Sequence, residues 1–248
     1  MKPISPYHAP GFYDTALARG RHRDIVGGRW NETGTIQMDL LRAAGLQPHH
    51  RLLDIGAGSL RLGCKAVPWL HPGHYWATDL SGALMRRGYD LELAEKDRLP
   101  PGQLVEDGDF AFPGLPDDID FAIAFAVFTH LPLDHLARAL SRIRARFPRL
   151  QRLLFTVFLA PEGTANLRQP DGVVTHAARA PYHFSEAAVQ AVVTAAGFAA
   201  SRHSDKVAHF IQEEVVALKA LGGGKDRLGL VRQQQARRAV AVVPTQRP

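Results

Sequence analysis

The sequence predicts an open α/β domain, a mostly parallel sheet with helices on both faces, on three observations. Residues 51–61 read strand, tight turn, helix: Arg51 to Ile55 are a short apolar run holding an acid, Asp54, and Gly56 and Gly58 follow at once. About 20 residues beyond the glycines, where a ribose-binding carboxylate is expected, Tyr75 to Asp79 is a second apolar run ending in an acid. Further apolar runs alternate with helix-length segments, the pattern of parallel strands joined by right-handed crossovers. A strand entering a helix through a glycine turn opens a nucleotide-binding unit, because a backbone without Cβ turns sharply and lets a ligand lie on the main chain.

Taken in order, residues 1–20 carry Pro3, Pro6, Pro10 and Gly11 among Tyr7, Phe12 and Tyr13, which predicts an irregular arm rather than an early helix. Arg21, His22, Arg23 and Trp30 lead into Ile36 to Ala44, whose Ile36, Met38, Leu40 and Leu41 fit a buried helix face ending at Gly45. The organisation expected is an arm and cap helix over 1–46, the α/β domain over 47–220 and a basic, flexible tail over 221–248. Leu60 to Leu70 supplies the first crossover helix, closed by His71-Pro72-Gly73, and Leu80 to Leu93 the next. Phe121 to Val127 is nearly continuous apolar sequence, as for a strand covered on both faces, and Asp134 to Phe147 is an amphipathic helix. Beyond the run Arg152 to Phe158, Pro161 to Pro181 reads as a substrate-recognition loop at the carboxyl end of the sheet. Ser185 is an N-cap for a helix to Ala196, closed by Gly197, and the segments around Ser201 and Phe210 to Ala220 suggest an antiparallel hairpin.

The ligand is narrowed by two positions. A dinucleotide fingerprint needs a third small residue so that the helix start can approach a pyrophosphate, and Arg61 stands there, which disfavours NAD and FAD. A carboxylate before the first glycine repels a pyrophosphate and attracts an ammonium or sulfonium. Asp54-Ile55-Gly56-Ala57-Gly58 resembles the first motif of the class I S-adenosylmethionine (SAM)-dependent methyltransferases, an acid followed by alternating glycines, and departs from its commonest form at Leu60, where many members have a third Gly. The resemblance extends from about residue 20 to about residue 220, with Ile119 to Phe128 similar to the fourth strand, Arg152 to Phe158 to the fifth and Glu214 to Lys219 to the last.

The resemblance implies a Rossmann-like class I methyltransferase fold, with a seven-stranded, mostly parallel sheet and an N-terminal helical arm or lid, and SAM as cofactor. It implies that Asp54, Gly56 and Gly58 hold the amino-acid portion and Asp79 the ribose. Asp109 is expected to face the adenine amino group and Phe110 its ring, with Leu80 and Phe125 completing the set. In methyl transfer from a sulfonium the cofactor carries the hard chemistry, so the protein aligns donor and acceptor and excludes water. Phe128-Thr129-His130-Leu131-Pro132 follows the fourth strand, where ligands bind in open α/β sheets, and His130 is the leading base for a hydroxyl acceptor unless it caps the following helix or packs structurally. Thr129, His22, Trp30 and His183 are the other candidate substrate contacts; packing under the arm is the alternative for Trp30. The expected activity is O- or N-methylation of a small molecule, with a small polar or anionic metabolite the class that the His- and Arg-bearing insertion suggests. Alternatives are cleavage of another sulfonium bond, by aminocarboxypropyl transfer or cyclisation, and a non-catalytic SAM-binding partner subunit.

Composition bounds the rest. With 46% hydrophobic residues in 248, the chain builds one sizeable core. Cys64 is the single cysteine, which excludes an intrachain disulfide; with no signal-like segment and no apolar run long enough for a bilayer, a cytoplasmic protein without a membrane partner is expected. The net charge is +6, but six basic residues from Lys225 to Arg247 oppose only Asp226, so the basicity belongs to the tail and does not make the core a nucleic-acid binder. No metal site is expected: His130 and His135 straddle a proline, and Asp117, Asp118 and Asp120 read as a solvated strand entry. No motif speaks to oligomeric state.

Overall fold

The computed structural model describes residues 4–203, 213–218 and 240–242. Its helices are α1 (Phe12–Ala18), α2 (Trp30–Ala43), α3 (Gly63–Trp69), α4 (Gly82–Leu91), α5 (Leu133–Arg146) and α6 (Glu186–Ala195). The strands before the insertion are β1 (Leu52–Ile55), β2 (Tyr75–Asp79), β3 (Leu104–Glu106), β4 (Phe121–Ala124) and β5 (Arg152–Leu159). They are followed by β6 (Asn166–Arg168), β7 (Val174–His176), β8 (His183–Phe184), β9 (Ala199–His203), β10 (Glu213–Leu218) and β11 (Val240–Val242).

The sheet runs β3-β2-β1-β4-β5-β10-β9, parallel from β3 to β5 and antiparallel where β10 joins β5 and β9. All four residues of β1 and of β4 are buried, so these strands read as continuous apolar runs rather than as alternations. Successive side chains nevertheless serve opposite faces. Phe121 and Ile123 pack with Met38, Leu41, Val67 and Met85 beneath α2, α3 and α4, whereas Ala122 and Ala124 pack with Leu136, Leu140, Ile143 and Val193 beneath α5 and α6. One contact fixes the approach of α4: a Cβ on Gly88 would lie 2.0 Å from the Ser59 carbonyl oxygen, so the helix rests directly on the loop after β1.

Several expectations are corrected. The arm is not irregular throughout: Pro6 opens a short 3-10 turn capped by Ser5, and α1 starts after Gly11, at φ 72°. The prolines precede Phe12, leaving Phe12–Ala18 without a helix breaker. The cap helix begins at Trp30, not Ile36, and buries Thr33, Gly34 and Gln37 besides Met38 and Leu41, a face more polar than hydropathy suggests. The insertion after β5 is not a plain loop: β6 and β7 pair as a hairpin, and β8 adds to β5 in parallel. β11, from the segment expected as a flexible tail, pairs in parallel with β10 and β9. The main sheet thus has nine strands among the described residues, not seven. The other residues of 221–248, and Phe210 of the closing hairpin, lie outside the described residues.

Candidate functional site

At the carboxyl ends of β1, β2 and β4 a cavity of about 210 Å³ opens beneath the N-terminal arm. The loop after β1 forms its floor. Gly56 and Gly58 have φ 71° and 57°, and a Cβ on Gly58 would lie 2.4 Å from Val26 Cγ1 of the arm, so both the loop path and its cover demand glycine there. Leu60 also takes a left-handed φ, 64°, while its side chain is fully buried. Left-handed backbone costs a side-chain-bearing residue about 1–2 kcal/mol. Burying a leucine gains about 1.5–3 kcal/mol. The loop keeps the path of a third glycine without having one.

Two buried carboxylates line this cavity. Asp54 is 2% exposed and accepts a hydrogen bond from Tyr75 Oη at 2.7 Å. Burial pushes its carboxyl up to about 7, although the Tyr75 hydrogen bond and the nearby Arg61 charge pull the other way. Asp79 accepts from the Gly58 amide at 2.8 Å and from the Ser81 amide at 3.0 Å, and burial raises it to about 6 against those two bonds. A carboxylate offers about four lone-pair sites, so these amides leave acceptor capacity for a ligand's hydroxyls. Leu80, Phe110 and Phe125 supply apolar wall.

Seven of the eight expected cofactor residues therefore meet at one cavity; Asp109 does not. Its half-exposed carboxylate pairs with Arg142 at 2.6 Å and Arg138 at 3.3 Å, and the Arg142 hydrogen bond holds it below the usual carboxylate range. Asp107 accounts for this. It accepts from the amides of Asp109, Ala111 and Phe112, and that turn carries Phe110 inward and Asp109 out toward α5. Asp107 and Gly108 line the cavity instead.

His130 ends a 3-10 turn after β4 and lines the cavity, with the Tyr7 ring edge-on at 4.8 Å. Burial lowers its pKa to about 4, so the imidazole is neutral at neutral pH. It does not cap α5, whose first turn receives no side-chain cap. The remaining substrate candidates lie elsewhere. Thr129 is fully buried, donating to the Ala126 carbonyl at 3.1 Å. His22 pairs with Glu92 at 2.7 Å, and Trp30 packs edge-on to His22 with the Arg23 guanidinium over its ring. His183 bonds Thr175 at 2.8 Å and the Thr164 carbonyl at 2.9 Å, tying the insertion to β8. No residue of Pro161–Pro181 borders the cavity.

The sequence reading missed Tyr7 and Tyr13, whose hydroxyls burial raises above the usual phenol range, and Arg61, considered there only as an obstacle to a dinucleotide. The aromatic content of the arm was the available signal for the tyrosines. The arm itself is held down by Ser59, which donates to the His22 carbonyl at 2.9 Å, and by the Arg23–Glu92 pair at 2.6 Å. No described group of histidine, cysteine and acidic residues is arranged to hold a metal, and no described helix is long and apolar enough to cross a membrane.

No protein-family model matches this chain, and no curated protein matches it in sequence. Solved structures do match in fold. Magnesium protoporphyrin IX methyltransferase from Synechocystis PCC 6803, with bound SAM, superimposes with a TM-score of 0.56 at 17% identity over 87% of this chain and 94% of that one. CalS10, an amino pentose methyltransferase from Micromonospora echinaspora, gives 0.54 at 19% identity over 84% and 97%. The mitomycin 7-O-methyltransferase MmcR gives 0.57 at 20% identity over 84% and 59%. At these identities the likeness establishes the fold: this chain has the Rossmann-like class I methyltransferase fold that its motifs predict.

Proposed function

We propose that this chain is a SAM-dependent methyltransferase acting on an oxygen or nitrogen of a small molecule. The carrying observation is the convergence on one cavity of two buried carboxylates, the glycine loop and a neutral imidazole. The donor set fits the cofactor. Buried anions favour a cationic ligand, the free acceptor sites of Asp79 suit a ribose diol, and Phe110 and Phe125 suit a purine ring. When bound, SAM supplies the electrophilic methyl group.

The chain's own residues do the rest. Asp54 attracts the ammonium of the amino-acid portion, and Asp79 orients the ribose while anchored to the loop by the Gly58 amide. The arm excludes water and places Tyr7 beside His130, with Tyr13 next to Tyr7 in the cavity lining, so the acceptor end is built by the arm and not by the insertion. The lining here includes Ile25, Leu131 and the two tyrosines, which supports a neutral or aromatic acceptor over the small polar or anionic metabolite suggested by the insertion. Neutral His130 accepts a hydrogen bond from the acceptor O–H or N–H, which orients the acceptor's lone pair toward the methyl group, and the imidazole takes up that proton as the acceptor is methylated. A cytoplasmic location belongs to the same proposal, supported by the free thiol of the single cysteine, Cys64.

The test is to incubate the protein with methyl-labelled SAM and an extract of the cells that make it, with Asp79→Ala as background, and to follow products by mass spectrometry. S-adenosylhomocysteine with a labelled small molecule is expected. Methylthioadenosine instead would assign the chain to cleavage of another sulfonium bond, and tight binding without turnover to a non-catalytic subunit.

A further inference from the structure

We infer that Thr156 of β5 is a positioning residue for His130, acting through the turn that carries the imidazole from the end of β4 into the cavity. The inference rests on the methyl-transfer reading above and adds a residue that lies outside the cavity lining. Thr156 is the single polar residue between Leu153 and Leu159 and is 2% exposed. Phe155 and Val157 pack beneath α5 and α6, whereas Leu154 packs beneath α2, α3 and α4, so by alternation Thr156 shares the face of Leu154. A hydroxyl buried in an apolar strand is costly unless it is hydrogen-bonded. Here Thr156 Oγ1 accepts from the Ala126 amide at 2.8 Å.

Ala126 is where the turn needs support. It borders the cavity with a left-handed φ of 60°, a backbone that a residue with a Cβ rarely adopts. It lies beyond Ala124–Phe155, the last paired position of β4 and β5, so the Thr156 hydroxyl continues by side chain what the ladder has stopped doing. On the other side Val127 presses on the glycine loop: a Cβ on Gly56 would lie 2.5 Å from Val127 Cγ2. The Ala126 carbonyl accepts from Thr129 Oγ1 at 3.1 Å, the Val127 carbonyl from the His130 amide at 3.0 Å, and the Thr129 carbonyl from the Tyr182 amide at 2.7 Å. Strained backbone persists where its surroundings over-determine it, and such backbone clusters at functional sites. The His130 ring meets Tyr7 edge-on and makes no hydrogen bond among the described residues, so the imidazole is aimed by the turn beneath it.

A role in stability alone is the alternative, and coupling to His130 separates the two. The full chain is given methyl-labelled SAM and an extract of the cells that make it, and release of S-adenosylhomocysteine is followed. Thr156→Val keeps the side-chain shape and removes the acceptor; it is expected to slow release by up to about 100-fold, the cost of a misplaced group. Its affinity for S-adenosylhomocysteine should stay within about twofold, and Thr156→Ser should restore the rate. In a His130→Ala background Thr156→Val is expected to slow the reaction no further, because residues that act through one group are not additive. The NMR titration of the His130 ring should move toward the ordinary histidine value in the valine variant and stay in place in the serine variant. Slowing that multiplies with His130→Ala, or an unmoved His130 titration, makes Thr156 a packing residue and overturns the inference. If Thr156→Val does not fold, Thr156→Ala carries the same comparisons. A valine variant as fast as the wild type overturns the inference and leaves the methyl-transfer reading standing. A wild type that releases no S-adenosylhomocysteine overturns that reading, and the inference with it.

Discussion

The Gly58 amide donates to Asp79 Oδ2 at 2.8 Å, across the space between the loop after β1 and the end of β2. The bond joins two motifs that lie 21 residues apart in the chain. The Ser81 amide holds the other oxygen at 3.0 Å, and the Ser81 hydroxyl caps α4 by accepting from the Leu84 amide. The acid, the glycine loop and a helix start are thus one hydrogen-bonded unit whose free acceptor sites border the cavity.

Replacing Asp79 by Ala removes the acceptor for the Gly58 amide and for ligand hydroxyls together. The affinity for S-adenosylhomocysteine is expected to fall by about 10- to 100-fold, the weight of one or two hydrogen bonds to a charged group. Circular dichroism should report an intact fold, because the β1–β2 ladder does not depend on this side chain. Undiminished affinity would remove Asp79 from the ribose site.

The buried acids make stability depend on pH. The folded-state pKa of Asp54, about 7, lies above its ordinary value, so the folded chain holds this proton more tightly than the unfolded chain. Stability contributed by the protonated form is present at low pH and is lost as pH rises from the ordinary carboxylate range through about 7. Asp54→Asn keeps an acceptor for Tyr75 without the charge. Its melting temperature is expected to decline less than that of the wild type between about pH 5 and pH 8, together with weaker binding of SAM. Parallel melting curves for the two proteins across that range would show that Asp54 is not the titrating group.

At Leu60 the usual ranking of small residues should invert. Leu→Ala in a core costs about 2–5 kcal/mol, and here alanine would inherit the left-handed φ of 64°. Glycine loses the same packing but not that conformational penalty, so Leu60→Gly should be about 1 kcal/mol more stable than Leu60→Ala in denaturant unfolding, with both below wild type. The opposite order would mean that the backbone relaxes away from this conformation.

His130→Ala should leave S-adenosylhomocysteine affinity within about twofold and slow methyl transfer about 100-fold, the low end for an acid–base group because so acidic an imidazole is a weak base. A pKa of about 4 also means that no histidine limb appears near neutrality in the rate profile. A limb near the ordinary histidine value would show that the imidazole is solvated in the working enzyme.

Asp109 and its neighbour Asp107 should part company. Asp109→Ala removes only ion pairs to Arg138 and Arg142 at the surface and is expected to leave cofactor affinity unchanged. Asp107→Ala strips three amides of their acceptor and should both weaken binding and lower the melting temperature. Loss of affinity on changing Asp109 alone would restore it to the adenine site.

By itself the sequence determined the parallel sheet, the acids at its strand ends and the glycine loop between them. Those features follow from local rules: a strand covered on both faces is continuously apolar, a left-handed turn selects glycine, and an acid at a strand terminus stays at that terminus. Only the tertiary structure decided where the loop side chains point. Asp109 was sent outward by the Asp107 turn and the arginines of α5, while His22 and His183 were claimed by Glu92 and by Thr175. Tyr7, Tyr13 and Arg61 entered the cavity because the arm folds back over the loop, and Arg61 is held there by carbonyls 33 and 35 residues away in the chain. A side chain on irregular backbone is aimed by partners distant in sequence, and no periodicity in the chain encodes them.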